Sequence, residues 1–178
     1  MRIIAGKYKG RRITAPKGLP VRPTTDFAKE GLFNYLNNHI NLENKTVIDL
    51  FAGTGNMSFE FISRGASPVY AVDIHHKCVS YMIRVSKELK FDNFKVLRND
   101  ALKFLKKCTV KADVIFLDPP YASPLYTELI ETVLERDLLL PQGLCIVEHD
   151  KNNNFDAVPL FKESKKYGNV IFSVFEKP

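Results

Sequence analysis

Cysteine is scarce: Cys78, Cys108 and Cys145 are widely separated, and no C-x-x-C pair occurs. They read as reduced thiols of a cytosolic protein, not as a disulfide framework. Histidine is equally thin. His39, His75, His76 and His149 show no ligand spacing, which argues against metal-assisted hydrolysis, and His75-His76 reads as the exposed start of a helix. No serine or cysteine sits in a nucleophile elbow. The start, Met1-Arg2-Ile3-Ile4-Ala5-Gly6-Lys7, lacks an apolar signal core, and no apolar run approaches the roughly 18 residues of a membrane span. A cytoplasmic protein without metal or membrane is therefore expected. Acid is nearly missing from one end: residues 1–29 carry eight lysines and arginines against Asp26 alone, while residues 30–178 carry 18 cations and 19 anions. The whole positive excess lies in the first sixth of the chain, as expected of a segment that faces a polyanion, and nucleic acid is the first candidate.

At 178 residues with 45% apolar content, the chain suits one globular domain, large enough to bury roughly 70% of its unfolded surface without staples. Gly6 and Gly10, around Lys7-Tyr8-Lys9, with flanking Arg2–Ala5 and Arg11–Thr14, suggest a basic β-hairpin within an N-terminal extension, residues 1–25. From residue 26 onward, apolar runs of strand length alternate with amphipathic stretches, which is α/β grammar. Thr24-Thr25-Asp26 offers N-cap oxygens to a helix running to about His39. Strands read at 46–51, 69–73, 94–98, 113–117 and 144–148, and helices at 57–64, 76–89, 101–106 and 125–136. Five strands joined by helical crossovers must be mainly parallel. Residues 158–166 and 170–175, around Tyr167-Gly168-Asn169, read as an antiparallel hairpin that completes a seven-stranded sheet.

In Val47-Ile48-Asp49-Leu50-Phe51-Ala52-Gly53-Thr54-Gly55 an apolar strand runs into Gly-x-Gly at a helix start. Such a turn lets the backbone approach a ligand. Ser58 stands where a dinucleotide fingerprint has its third glycine, and Asp49 would repel a pyrophosphate but attract a sulfonium. S-adenosylmethionine fits better than a dinucleotide. Asp73, ending the second strand, is placed to accept ribose hydroxyls, and Asp100 after the third to reach an adenine amine, although a helix cap explains Asp100 equally well. The fourth strand runs into Asp118-Pro119-Pro120-Tyr121. An Asp-Pro turn is common. Here, however, a second proline stiffens the backbone so that a carboxylate and a carbonyl are held beside an aromatic ring. That set grips a planar amine: the Asp118 carboxylate and Pro119 carbonyl accept its two N–H groups, and Tyr121 can stack on the base.

These motifs, with Arg2-Ile3-Ile4-Ala5-Gly6, Arg22-Pro23-Thr24-Thr25-Asp26, Leu32-Phe33-Asn34 and Ser63-Arg64-Gly65-Ala66, resemble the RsmD-type bacterial 16S ribosomal RNA (guanine-N2)-methyltransferases, of the Rossmann-like class I methyltransferase fold. The resemblance implies methylation of one guanine N2 amine in 16S rRNA, in an assembled or assembling 30S subunit, by a monomer whose methyltransferase domain spans residues 26–178. It places Asp49, Phe51, Gly53, Gly55, Asp73, Asp100 and Ala101 around the cofactor, and Asp118, Pro119 and Tyr121 around the guanine. Lys7, Lys9, Arg11, Arg12, Arg22 and Thr24 are placed against RNA. Phe27 stands where the family often has Arg, and Asp73 where it usually has Glu. Two rival readings are a DNA adenine-N6 or cytosine-N4 methyltransferase, for which the chain has no room for a sequence-reading module, and a non-catalytic RNA-binding Rossmann-like module.

Overall fold

The computed structural model describes residues 1–15, 18–19 and 24–178. The helices are α1 (Asp26–Asn37), α2 (Asn56–Ser63), α3 (His76–Leu89), α4 (Ala101–Lys107) and α5 (Tyr126–Glu135). The strands are β1 (Val47–Leu50), β2 (Val69–Asp73), β3 (Phe94–Arg98), β4 (Ala112–Leu117), β5 (Leu139–His149), β6 (Phe161–Tyr167) and β7 (Val170–Glu176). They form one sheet in the order β3-β2-β1-β4-β5-β7-β6. The first five strands pair parallel with one another; β7 runs antiparallel to β5 and to β6. Strand order reverses between β1 and β4, and at such a point the crevice beyond the carboxyl ends of the strands opens.

Alternation along each central strand divides the core in two. Val47, Val114 and Phe116 face the layer containing α1, α2 and α3, whereas Ile48, Leu50, Ile115 and Leu117 face α4 and α5. Asp49 lies between Ile48 and Leu50, so its carboxyl points to the α2 side, where Ser58 meets it. Strand β5 begins five residues earlier than its apolar run suggests. The extra residues run through Pro141-Gln142-Gly143, which the strand accommodates by a register shift against Ala112 and Val114, with Gln142 at φ 60°.

The basic segment is an ordered loop rather than two strands. One antiparallel bridge, Arg2 to Arg12, closes it, with Ile3 N donating to Arg11 O (3.0 Å) and Gly10 N to Ile3 O (2.9 Å). Ile3 and Ile13 are buried in the core, so the loop is built into the domain. Its seat is the end of α2. Lys7 N donates to Ser63 O (2.7 Å), and Gly6 (φ 81°) comes so close that a Cβ there would overlap the Ser63 carbonyl.

A buried ionic group pins the same loop. Lys29, only 1% exposed, donates from Nζ to Arg2 O (2.7 Å) and Asn56 Oδ1 (2.9 Å), with Glu60 Oε2 at 3.5 Å. Glu60 also accepts from Ile4 N, Ala5 N and Arg64 Nε. Sequence counts Lys29 with the cations that face a polyanion. In the fold it is an internal tether, its ammonium form disfavoured by burial and partly restored by Glu60.

Candidate active site

Neighbouring strands β1 and β4 bring the two expected motifs together. Leu50 pairs with Leu117, and Asp118 N donates to Leu50 O (3.3 Å), so the Asp118 turn starts beside the turn after β1. That first turn is unusual backbone: Phe51, Gly53 and Gly55 all have positive φ, at 65°, 55° and 77°. For a non-glycine residue such as Phe51 this conformation is costly and is found preferentially at ligand sites. Gly55 is required on internal grounds as well, since a Cβ there would meet the Phe59 ring at 2.7 Å. The bulk of Phe59 is absorbed by an aromatic cluster with Phe91 and Phe94.

Three carboxylates converge on this edge. Asp49 is 1% exposed and accepts a short hydrogen bond from Ser58 Oγ. Burial pushes its carboxyl up to about 7, and Asp73 and Glu148 add to the rise. Asp118 is raised well above the usual carboxylate range by burial, then by Glu148 and Asp49. Glu148, at the end of β5, is no part of the site expected from sequence. Its Oε1 accepts from the Tyr121 hydroxyl (3.2 Å) and its Oε2 from Thr24 Oγ1 (2.8 Å). Thr24, expected at the RNA-facing edge, is thus buried, and its backbone carbonyl accepts from Asn56 Nδ2 (3.1 Å). A continuous polar chain therefore runs from the N-terminal loop through Lys29, Asn56, Thr24 and Glu148 to Tyr121.

The remaining expected residues take more local roles. Asp73 braces the turn, accepting from Gly53 N on Oδ2 (2.7 Å) and from His75 N on Oδ1 (2.8 Å). Asp100 caps α4 through Lys103 N (2.9 Å), with Ala101 as the first helical residue. Pro119 O accepts from the buried Tyr126 hydroxyl at 3.2 Å, which lies equally close to Glu148 O. Tyr126, unmarked in the sequence, therefore fixes the Pro119 carbonyl against the end of β5. Lys7, Lys9, Arg11 and Arg12 are exposed on the N-terminal loop, and Arg22 lies outside the described residues. A groove of about 250 Å³ separates Arg11 and Arg12 from Arg84 on α3. Among the described residues no cluster of metal-ligating side chains occurs, and no helix is long and apolar enough to cross a membrane. His149 is a core residue, bonded to Ser173 Oγ (2.7 Å) and Asp150 O (2.8 Å).

The model of the family described as conserved hypothetical protein 95 matches residues 1–176. The chain belongs to that family. The Escherichia coli ribosomal RNA small subunit methyltransferase D is 29% identical, over 99% of this chain and 90% of its own. The solved Escherichia coli protein yhhF superposes with TM-score 0.87 at 27% identity, covering 99% of this chain and 97% of that one. A more distant structure, SMU.776, solved with S-adenosylhomocysteine, shares the fold at 18% identity and TM-score 0.68, over 83% of this chain and 49% of its own. The RsmD-type resemblance and the class I methyltransferase architecture expected from sequence both hold.

The acidic edge makes its own prediction. An acid whose folded value lies above its unfolded one costs stability as pH rises between the two, here from about 3.8 to about 7 for Asp49. The slope reaches about 1.4 kcal/mol per pH unit. Asp49→Asn keeps an oxygen for Ser58, so the ligand-free variant is expected to gain over wild type progressively from pH 4 to pH 8. Thermal unfolding across that range checks this; a gain independent of pH would show that Asp49 does not ionise there.

Proposed function

We propose that this chain transfers a methyl group from S-adenosylmethionine to the exocyclic N2 amine of a guanine in 16S rRNA, in an assembled or assembling 30S subunit. The observation that carries the reading is the juxtaposition of the Asp49 and Asp118 turns, where Leu50 pairs with Leu117 and Asp118 N meets Leu50 O, at the switch point between β1 and β4. Both carboxyls are held above the usual range by burial first and by neighbouring carboxylates second. Such an edge suits a cation and opposes a pyrophosphate. The residues therefore fit the cofactor: Asp49 and its neighbours would offset a sulfonium charge, the Phe51–Gly55 turn would approach it with backbone, and Asp73 and Asp100 would border the adenosine. When bound, S-adenosylmethionine supplies an electrophilic methyl carbon.

The chain's own contribution is to hold the acceptor. A guanine N2 lone pair is delocalised into its ring and is a poor nucleophile. The Asp118 carboxylate and the Pro119 carbonyl, the latter steadied by Tyr126, accept the amine's two N–H groups and orient it. Tyr121, tied by its hydroxyl to Glu148, offers a stacking face. Positioning and fixed charge then supply most of the rate, and the proton leaves to solvent without a strong base. The name of the Escherichia coli relative supports ribosomal RNA as the substrate, as does the basic loop. The test is methyl transfer from labelled S-adenosylmethionine to small subunits isolated from cells lacking the gene, followed by nucleoside analysis. N2-methylguanosine is the expected product; a labelled adenine, cytosine or protein would overturn the assignment.

Neutralising Lys7, Lys9, Arg11 and Arg12 is expected to weaken RNA binding and flatten its salt dependence, by up to roughly 0.7–0.9 in slope for each phosphate no longer engaged. Binding titrations at several salt concentrations check this, and an unchanged slope would return the loop to a purely structural role.

A further inference from the structure

Phe27 is 67% exposed, the most exposed large apolar side chain among the described residues. It sits in the first turn of α1, and its ring and that of Tyr167 form a T-shaped pair with centroids 6.1 Å apart at 80°. Tyr167 is itself held in place. Its hydroxyl donates to Gly31 O (3.0 Å), and its ring lies so close to Gly31 that a Cβ there would fall 2.2 Å from it. Gly31 is one helical turn beyond Phe27, on the same face of α1. A glycine inside a helix costs about 1 kcal/mol against alanine, and here the space it leaves is filled by the tyrosine that supports Phe27.

The place is informative. Tyr167 ends β6, Ile171 of β7 pairs with both Lys166 and His149, and His149 follows Glu148 at the end of β5. The Phe27–Tyr167 pair therefore stands on the sheet edge that carries the acceptor notch. Thr24, three residues before Phe27, donates to the Glu148 that holds Tyr121. The rim is polar: Thr25, Asp26, Glu30 and Lys166 are exposed, and Asp26 is partly offset by Arg2 at 3.7 Å. A surface that docks a protein presents a contiguous apolar patch. A single ring, braced from one side and rimmed by polar groups beside a strongly basic segment, matches the flat face of an unpaired base.

We infer that Phe27 is a stacking platform for an unpaired RNA base next to the target nucleotide. This rests on the RNA-methylating reading above and adds to it a base contact outside the notch. Binding of a short single-stranded 16S rRNA fragment, read by fluorescence anisotropy, tests it without requiring catalysis, and the KM for small subunits tests it in the reaction. Phe27→Ala is expected to weaken fragment binding roughly 5- to 150-fold, the ordinary range for removing one base–aromatic stack. Its salt slope should stay unchanged, and KM should rise far more than kcat falls. Phe27→Tyr should restore binding and Phe27→Leu should not. Unchanged fragment binding in Phe27→Ala, or equal rescue of fragment binding by leucine, overturns the inference; a KM defect on whole subunits that leucine rescues, with fragment binding unchanged, would instead point to apolar docking of a ribosomal protein. A wild-type chain that binds the fragment through Phe27 yet transfers no methyl group to subunits would instead contradict the proposed function.

Discussion

Asp118→Ala is expected to lower kcat for methyl transfer about 10²- to 10³-fold, the usual loss when one fixed electrostatic contact to a reacting group is removed, with little change in cofactor affinity. The backbone at this position is anchored by Asp118 N to Leu50 O and by the prolines that follow, so alanine leaves the turn in place. The side chain's office is to accept an N–H from the amine, which it does as a carboxylate. In the ligand-free protein burial, Glu148 and Asp49 all favour its neutral form. Removing it relieves that repulsion, so the variant should unfold no more easily than wild type and, as pH rises above the ordinary carboxylate range, progressively less easily. The wild-type rate should fall as pH drops and Asp118 takes up its proton. Steady-state kinetics and calorimetric titration with S-adenosylmethionine separate the effects. A matching collapse in cofactor affinity would place Asp118 at the sulfonium instead of at the amine.

Lys29→Ala is expected to cost about 3–5 kcal/mol of stability, the range for removing one partner of a buried ion pair, or about 10 °C in Tm for a domain of this size. Lys29 and Glu60 are 1% and 0% exposed, so solvent does little to screen them. Alanine would leave Arg2 O and Asn56 Oδ1 without their donor and Glu60 with Arg64 as its remaining cation. Because Asn56 also holds Thr24, and Thr24 holds Glu148, the damage should reach Tyr121. RNA binding should then fall more than cofactor binding. Lys29→Met, which fills most of the volume, should be milder in Tm yet similar in its effect on RNA. Thermal unfolding with paired RNA and cofactor titrations checks both; a loss of under 1 kcal/mol would mean that water replaces the ammonium.

What can be read along the chain is what depends on neighbours in sequence. The strand and helix alternation, the Gly-x-Gly turn and the Asp118–Tyr121 turn are local patterns, and each sits where its pattern places it. Asp100 allows two readings of a single local motif, and the cap is the one with a geometric partner. Residues whose partners are far away escape such reading. Glu148 is 124 residues from Thr24 and 27 from Tyr121; nothing in Ile146-Val147-Glu148-His149 distinguishes it from the polar end of an ordinary strand. Tyr126 looks like a first-turn helix residue until its hydroxyl is seen beside Pro119 O. Lys29 looks like one more surface cation because a lysine's burial is decided by what folds over it. Only the folded arrangement shows that the N-terminal loop and the notch belong to one polar network.

The central claim is that the notch at Asp118 presents a guanine amine of 16S rRNA for methylation. Its most direct measurement is nucleoside mass spectrometry of 16S rRNA from cells lacking the gene, complemented with wild type or with Asp118→Ala. The account predicts that one N2-methylguanosine disappears on deletion, returns with wild type and stays absent with the variant. An unchanged N2-methylguanosine content after deletion, or its restoration by Asp118→Ala, would contradict it.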